Sequence, residues 1–499
     1  MNPILQKNYL DFFFEKRPTS KITKAIVFVI FSLVFLYLKF AYHELWKDEW
    51  QAWHVARDMS WGEICSFLYY EGHPSLWYIY LKIIALCTPL GADLFALQAS
   101  HALLILTAFA IFFFRFRFSL PLKIAFLLSS FCYFEYGMVN RGYALVMLLA
   151  FWAATLIENK ETNIWKLCLA LFLLCQTEAQ GVIIAGGLWV FAFAKNLFDE
   201  NFKAATQNKE NQLLLLAFGA GFLFFVLSVY PRGEYEDLAR AYNMMKQPLS
   251  ESIPLAFQGL LANTFWIGSI DDTGAFGVSL LGIIFSVIIL LSIVYIFHNN
   301  KNALLAMLAG LIAFFLFAAL VYGGGVRQWG MLFVFFLAIF NLYEKKELTF
   351  NGLQSIALIP IIVFPIYYNI MALQKEIQYP FSNAEKTANF LATSVPAKVP
   401  IVAINPFETG AVIGYLGESR KVYKMPEGET FTWFKWLSKV YIPSENELKL
   451  FAQFKNVGGI IILTHNPLAQ QRYPTATLWK AFDTYSIKNE KFYIYTLAK

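Results

Sequence analysis

The sequence predicts a mostly α-helical polytopic membrane protein: a helical bundle of about 11 spans with interfacial helices in its first outer loop, followed by a small C-terminal α/β soluble domain. Three observations carry this. Hydrophobic residues make up 58% of the 499 and charged residues only 15%, more apolar surface than one soluble core can hide. Apolar runs of span length recur from Ala25 to Leu373, separated by short loops in which basic residues gather. Beyond Leu373 the runs stop, and helix-period and strand-period segments alternate.

Residues 1–24 carry Lys7, Lys16, Arg17, Lys21 and Lys24, the basic excess of a cytoplasmic tail, so the N-terminus is expected inside. The first span covers residues 25–41 and is read as retained, because no small-residue cleavage site follows it. It delivers the first outer loop, 42–94, to the outer face. Two apolar stretches, 75–90 and 95–114, then precede the basic cluster Arg115, Arg117 and Lys123. The first is short, contains Lys82 and ends in Pro-Leu-Gly, so residues 75–88 are laid in the interface as a surface helix and only 95–114 crosses. With that choice, spans follow near 121–139, 142–157, 164–178, 181–195, 212–230, 275–297, 303–322, 326–343 and 353–373. Lys160, Lys195, Lys203, Lys209, Lys301, Lys345 and Lys346 all fall inside. A long polar outer segment, 231–274, with a helical pattern over 236–245, has the length of a lid or binding loop. The turn YGGGVRQWG, 322–330, places Arg327 at the outer membrane edge.

An odd number of spans puts residues 374–499 outside, as a periplasmic α/β domain. Its pattern reads helix 383–391, strand 401–404, helix 409–416, strand 422–424, helix 445–454, strand 459–464 and strand 492–497. The net charge of +6 resides largely in loops that fix orientation, so no nucleic-acid partner is inferred, and no GxGxxG or P-loop marks a nucleotide site. Cys65, Cys87, Cys132, Cys168 and Cys175 lack CxxC spacing and give neither a disulfide framework nor a zinc ribbon.

Chemistry concentrates in Leu45 to Trp77, LWKDEWQAWHVARDMSWGEICSFLYYEGHPSLW. Asp48 and Glu49 are adjacent, so on a helix they point about 100° apart: one can work while the other orients. A carboxylate at the lipid–water boundary beside Trp46, Trp50 and Trp53 suits a general base acting on a hydroxyl. The structural alternative is that the pair caps the helix that follows, since acids are favoured in a first turn. Glu71 and His73 start the surface helix, and Arg141 and Arg327 fall at outer ends of spans. Convergence of these groups would make a cationic pocket for phosphate, to which the arginine fork is matched, although each arginine alone would serve as a snorkelling anchor. His43, His54 and His73 with Glu71 offer a zinc set of no standard spacing.

The order of an acidic pair on an aromatic helix, YEGHPSLWY, an interfacial helix and then FEYGMVNRGYAL resembles membrane glycosyltransferases of the GT-C superfamily, in the bacterial group related to protein O-mannosyltransferases and the lipid A aminoarabinose transferase. The resemblance covers residues 25–200 and, in general plan, the remaining spans. It implies an enzyme of the bacterial inner membrane, with its site on the outer face, that moves a sugar from a polyprenyl-phosphate carrier to a hydroxyl of a glycan, lipid or protein acceptor, with inversion. By resemblance Asp48 is the catalytic carboxylate with Glu49 supporting it, and His73 stands near the donor phosphate. Arg141 matches the arginine of the motif Asn140-Arg141-Gly142-Tyr143, and Arg327 matches more loosely. Ser75 replaces a proline and Gly72 stands where relatives have an acid, which leaves the role of Glu71 open. No cofactor is assigned, and dependence on a divalent metal is left open, because carboxylates serve both as bases and as ligands.

Two rival classes remain. A lipid-linked sugar transporter would carry charges at mid-span, of which Glu178 is the nearest instance, and inverted repeats, of which none is evident. A glycan-binding scaffold would rest on Trp433 and Trp436, an aromatic pair that ordinary packing also explains.

Overall fold

The computed structural model describes residues 19–158, 160–199, 201–230, 248–263, 280–343, 352–435 and 441–499. The first eighteen residues of the basic tail, 231–247 (with the 236–245 pattern) and 264–274 of the polar segment, Lys345, Lys346 and Trp436 lie outside the described residues.

In chain order the helices are α1 (Lys21–Tyr42), α2 (Lys47–Asp58), α3 (Trp61–Glu71), α4 (Ser75–Leu86), α5 (Asp93–Arg115), α6 (Leu120–Leu127), α7 (Tyr143–Ile157), α8 (Lys160–Cys175), α9 (Ala179–Asp199), α10 (Phe202–Gln207), α11 (Lys209–Val229), α12 (Leu249–Asn263), α13 (Leu280–Phe297), α14 (Lys301–Leu320), α15 (Val326–Tyr343) and α16 (Gly352–Gln378). Among the described residues seven of them are long and apolar enough to cross a membrane: α1, α5, α9, α11, α14, α15 and, from Leu353, α16. Of the other four expected spans, 275–297 lies partly outside the described residues, where α13 forms its second part. Those at 142–157 and 164–178 correspond to shorter apolar helices. The one at 121–139 is broken: α6 stops at Leu127, the Ser129 hydroxyl accepts from the Cys132 N–H, and a π-helical segment, Ser130–Met138, begins there. Hydropathy registers only apolarity and does not see a serine ending one helix and capping the next.

The helices sort by burial. The windows of α1 and α11 are only 11% buried inside the protein, which fits lipid-facing helices, whereas α15 is 72% buried and forms the centre of the bundle. Glycine permits its contacts: a Cβ on Gly187 of α9 or on Gly310 of α14 would lie 2.3 Å from the Phe335 ring of α15. The stretch expected as a surface helix is α4, with Lys82 indeed turned inward, as described below.

After α16 come α17 (Ala384–Ser394), β1 (Ile401–Ala403), α18 (Pro406–Leu416), β2 (Val422–Lys424), β3 (Glu429–Thr430), α19 (Glu445–Phe454), β4 (Gly459–Thr464), β5 (Thr477–Phe482) and β6 (Phe492–Ala498). They build one mixed six-stranded sheet in the order β3-β2-β1-β4-β6-β5, with β1 parallel to β2 and β4 and the other pairings antiparallel. The central strands are apolar runs buried on both faces, the signature expected where helices cover a parallel core. The sequence reading found β1, β2, β4 and β6. It missed β3, two exposed residues, and β5, an edge strand whose first four residues are exposed and give no burial pattern.

Candidate active site

The site grows from the N-terminus of α2. Trp46 is the N-cap residue and has no side-chain acceptor, so the first-turn N–H groups need another partner. Glu49 supplies it: Oε2 accepts from the Trp46 N–H at 3.1 Å, the back-reaching half of a capping box. Its other oxygen, Oε1, accepts from the Asn140 N–H at 2.5 Å, from Asn140 Nδ2 at 2.8 Å and from His43 Nε2 at 3.1 Å. His43 in turn donates from Nδ1 to Glu376 Oε1 at 2.7 Å, so one buried imidazolium bridges α2 to the end of α16. Burial alone would lower the His43 pKa, but the two carboxylates outweigh it and raise it to about 9. Burial likewise works to raise Glu49, and His43 with the N–H donors holds it down at about 2.

Glu49 is 0% exposed with both oxygens engaged. Its oxygens are thus spent on the protein's own groups, so Glu49 positions its neighbours. The adjacent Asp48 points elsewhere, as the ~100° step along a helix requires. The two readings of the acidic pair thus divide between its members, Glu49 being the cap and Asp48 the group presented to the site. Lys82 of α4 closes the opposite end of α2, donating to the carbonyls of Arg57 at 3.1 Å and Met59 at 2.6 Å, a cation at the negative end of the helix dipole.

By gripping both backbone and side chain of Asn140, Glu49 aims the next residue. Arg141 Nη1 donates to Asp48 Oδ2 at 2.6 Å, and Nη2 lies 3.2 Å from His73 Nε2. His73 sits on a short hinge: Gly72 closes α3 in the left-handed region at φ 68°, which needs glycine, and Pro74 is the N-cap residue of α4. Its Nδ1 is 2.7 Å from Glu178 Oε2. Burial would depress His73, but the Glu178 carboxylate raises it above its ordinary value against the opposing charge of Arg141. Asp48, Arg141, His73 and Glu178 form one continuous line of polar groups, and Tyr322, at the glycine turn after α14, feels the charges of both Asp48 and Arg141.

The remaining expected residues flank this line. Arg327 pairs through Nε with Glu135 Oε2 at 2.8 Å and lies over the Trp46 ring at 5.3 Å. The Tyr143 hydroxyl accepts from Gln328 Nε2 at 2.8 Å. Glu71 ties α3 to its neighbours, accepting from Gln51 Nε2 at 2.8 Å and from the Tyr78 hydroxyl at 2.9 Å. The zinc set is not assembled: His43 bridges two carboxylates, His54 meets the Thr432 carbonyl at 2.7 Å, and His73 faces Glu178. Among the described residues no group of three or more His, Cys, Asp and Glu side chains is arranged to hold a metal.

The C-terminal sheet region packs on α2. The Leu45 N–H donates to the Tyr415 hydroxyl at 2.6 Å, Lys47 Nζ pairs with Glu408 at 2.9 Å, and Gln51 exchanges two hydrogen bonds with the backbone of Phe434. A Cβ on Gly414 would lie 2.1 Å from the Trp50 ring, so only glycine lets α18 lie this close. Trp433, considered as a glycan platform, packs on Phe67 at 5.1 Å. Sequence reading named His43 only in the zinc set and Asn140 only as a neighbour in the Arg141 motif, and did not place Glu178 or Glu376 in the site. Glu178 carried a signal, an isolated acid among apolar helices, whereas Glu376 lies 333 residues from its partner His43 and carried none.

The chain is similar over nearly its full length to two solved structures. ArnT from Cupriavidus metallidurans bound to undecaprenyl phosphate matches with TM-score 0.53 at 12% identity, covering 96% of this chain and 98% of that one. ArnT from the same organism in the apo state matches with TM-score 0.54 at 10% identity over the same shares. No family model matches the sequence, and no curated protein does. The chain thus shares the fold of these ArnT structures, a membrane helical bundle followed by a smaller C-terminal region, as the sequence resemblance led one to expect.

Proposed function

We propose that the protein is a membrane glycosyltransferase that moves a sugar from a polyprenyl-phosphate carrier to an acceptor hydroxyl, with Asp48 as general base. The observation that carries the reading is the line Asp48–Arg141–His73, in which a carboxylate, a guanidinium fork and an imidazole converge at 2.6 and 3.2 Å at the end of a rigidly capped helix. A phosphate-linked sugar has a good leaving group, so catalysis needs charge stabilisation at the phosphate and a base at the acceptor, with no nucleotide site. A bound ArnT neighbour that holds undecaprenyl phosphate supports the carrier class. Arg141 grips Asp48 directly; phosphate oxygens compete for that fork, so donor binding releases the carboxylate toward the acceptor. The inverting course follows from a base acting on the face opposite the departing phosphate.

In this reading the membrane bundle, residues 25–373, is the catalytic domain, and residues 374–499 cover the outer side of α2. The bundle then spans a bacterial inner membrane with its active site and residues 374–499 on the periplasmic face, a placement that the distribution of basic loops supports. The test is reconstitution of the full chain in proteoliposomes with polyprenyl-phosphate sugars and envelope acceptors. Asp48→Asn is expected to remain folded and inserted and to lose transfer; full transfer by that variant removes Asp48 as base. Movement of the donor between leaflets without its consumption would assign the protein to transport instead.

A further inference from the structure

We infer that Glu178 is a positioning residue of this reaction: it holds the Nδ1–H of His73, so that Nε2 faces the donor phosphate beside the Arg141 fork and carries a proton there once the phosphate is bound. The inference rests on the proposed function and assigns a part to a residue that reading leaves unused.

The geometry of the turn between α8 and α9 is built for this. The Gln176 carbonyl accepts from the Leu76 N–H at 3.0 Å, and the Gln176 side chain donates to the Gly221 carbonyl at 2.8 Å, so the turn is pinned to the start of α4 and to α11. The Thr177 hydroxyl bonds back to the Leu174 carbonyl at 2.6 Å. Glu178 therefore arrives at His73 from a fixed backbone, with its side chain only 6% exposed and Oε2 at 2.7 Å from Nδ1. Its second oxygen lies against the Arg141–Gly142 turn, where a Cβ on Gly142 would come within 2.9 Å of Oε1. One carboxylate thus fixes the imidazole and packs against the turn that carries the guanidinium.

The charge balance explains why such a residue is needed. In transfer, the bond from the anomeric carbon to the phosphate oxygen breaks with its electron pair staying on the phosphate, the acceptor oxygen bonds the anomeric carbon, and the acceptor proton passes to Asp48. The phosphate gains one negative charge. Without phosphate, Nε2 of His73 lies 3.2 Å from Arg141 Nη2, a contact in which it accepts only while the imidazole lacks its second proton. With phosphate oxygens between them, Arg141 turns its donors outward and an Nε2–H becomes favourable. The charged groups facing His73 are Glu178, Arg141 and Glu71; burial and Arg141 disfavour the imidazolium, and Glu178 is the principal group that favours it. Removing the Glu178 charge lowers the pH at which His73 holds its second proton.

The test uses the full chain in nanodiscs and undecaprenyl phosphate as the probe, with affinity measured from about pH 5.5 to about pH 9 and folding followed by thermal melting. Wild type is expected to lose affinity as pH rises through the raised His73 midpoint. Glu178→Gln is expected to bind about tenfold more weakly near neutrality, to regain most of that at the acid end, and to melt like wild type. His73→Gln supplies the floor, removing the titration of the phosphate itself from the comparison. In a His73→Lys background, where the cation needs no partner to fix a tautomer, Glu178→Gln is expected to change affinity less than about threefold. An unchanged pH profile in Glu178→Gln, or an equal loss at every pH, overturns the inference while leaving the transferase reading intact. Failure of wild type to bind the probe at any pH overturns both.

Discussion

Replacing Glu49 by Gln isolates the device that holds the site together. The amide keeps one oxygen for Asn140 and His43, but its NH2 group then meets the Trp46 N–H, which the carboxylate accepted at 3.1 Å. A buried donor left facing a donor costs about 1–3 kcal/mol. The second loss is the charge. His43 is raised from 6.5 to about 9, a net gain over the cost of burial on the order of 3 kcal/mol. Glu376 still pairs with His43 in the variant, so part of that is forfeited, on the order of 1–2 kcal/mol. Together the N-terminus of α2 should open about 3 kcal/mol more easily, which corresponds to roughly a hundredfold lower amide protection.

Hydrogen exchange read at the α2 amides, expressed as protection factors across pH, measures this locally and does not depend on reversible unfolding of a membrane protein. Because folding raises the His43 pKa, its contribution is complete below 6.5 and disappears as pH climbs through about 9, so wild-type protection should fall across that window. In Glu49→Gln the fall should be about half as deep. Glu49 itself, depressed from 4.5 to about 2, contributes above 4.5 and loses its contribution as pH drops toward 2. Equal protection in variant and wild type, or an undiminished pH dependence, would refute the bridging role of His43.

Three further outcomes follow from the same contacts. Arg141→Lys keeps the charge but cannot reach Asp48 at 2.6 Å and His73 at 3.2 Å together, so transfer should drop by about a hundredfold, and near-wild-type rates would show that the fork is not used. Asp48→Asn removes one partner of a partly exposed ion pair, and its melting temperature should stay within a few degrees of wild type while transfer is lost. Gly414→Ala places a methyl group 2.1 Å from the Trp50 ring and should cost about 1–3 kcal/mol. Limited proteolysis should then cut between α16 and α17 faster than in wild type, and unchanged cleavage would mean that α18 does not depend on that contact.

Much of this was legible in the chain itself. The helical membrane class, the turn of the sequence to strands and helices after Leu373, and the shortness of the apolar helix α4 follow from apolar period and run length, which are local quantities. The prominence of Asp48, His73 and Arg141 was legible too, because acidic and cationic side chains are rare beside apolar runs and each stands in a short ordered motif. What composition could not do was apportion the acidic pair. Asp48 and Glu49 are neighbours of the same chemistry, and only the arrival of Asn140 and His43 on one side of the helix makes one of them a buried cap and leaves the other to the site.

The sequence by itself determined the solvent, the helices and the small set of groups able to do chemistry, because hydropathy and charge act residue by residue. The tertiary structure alone decided the roles: which carboxylate faces the guanidinium, that Glu178 reaches His73, and that Glu376 closes on His43 across 333 residues. The physical reason is that a hydrogen bond is made by angstrom-scale approach in space, and in a bundle the helices that meet at one end are brought there by packing, irrespective of their separation along the chain.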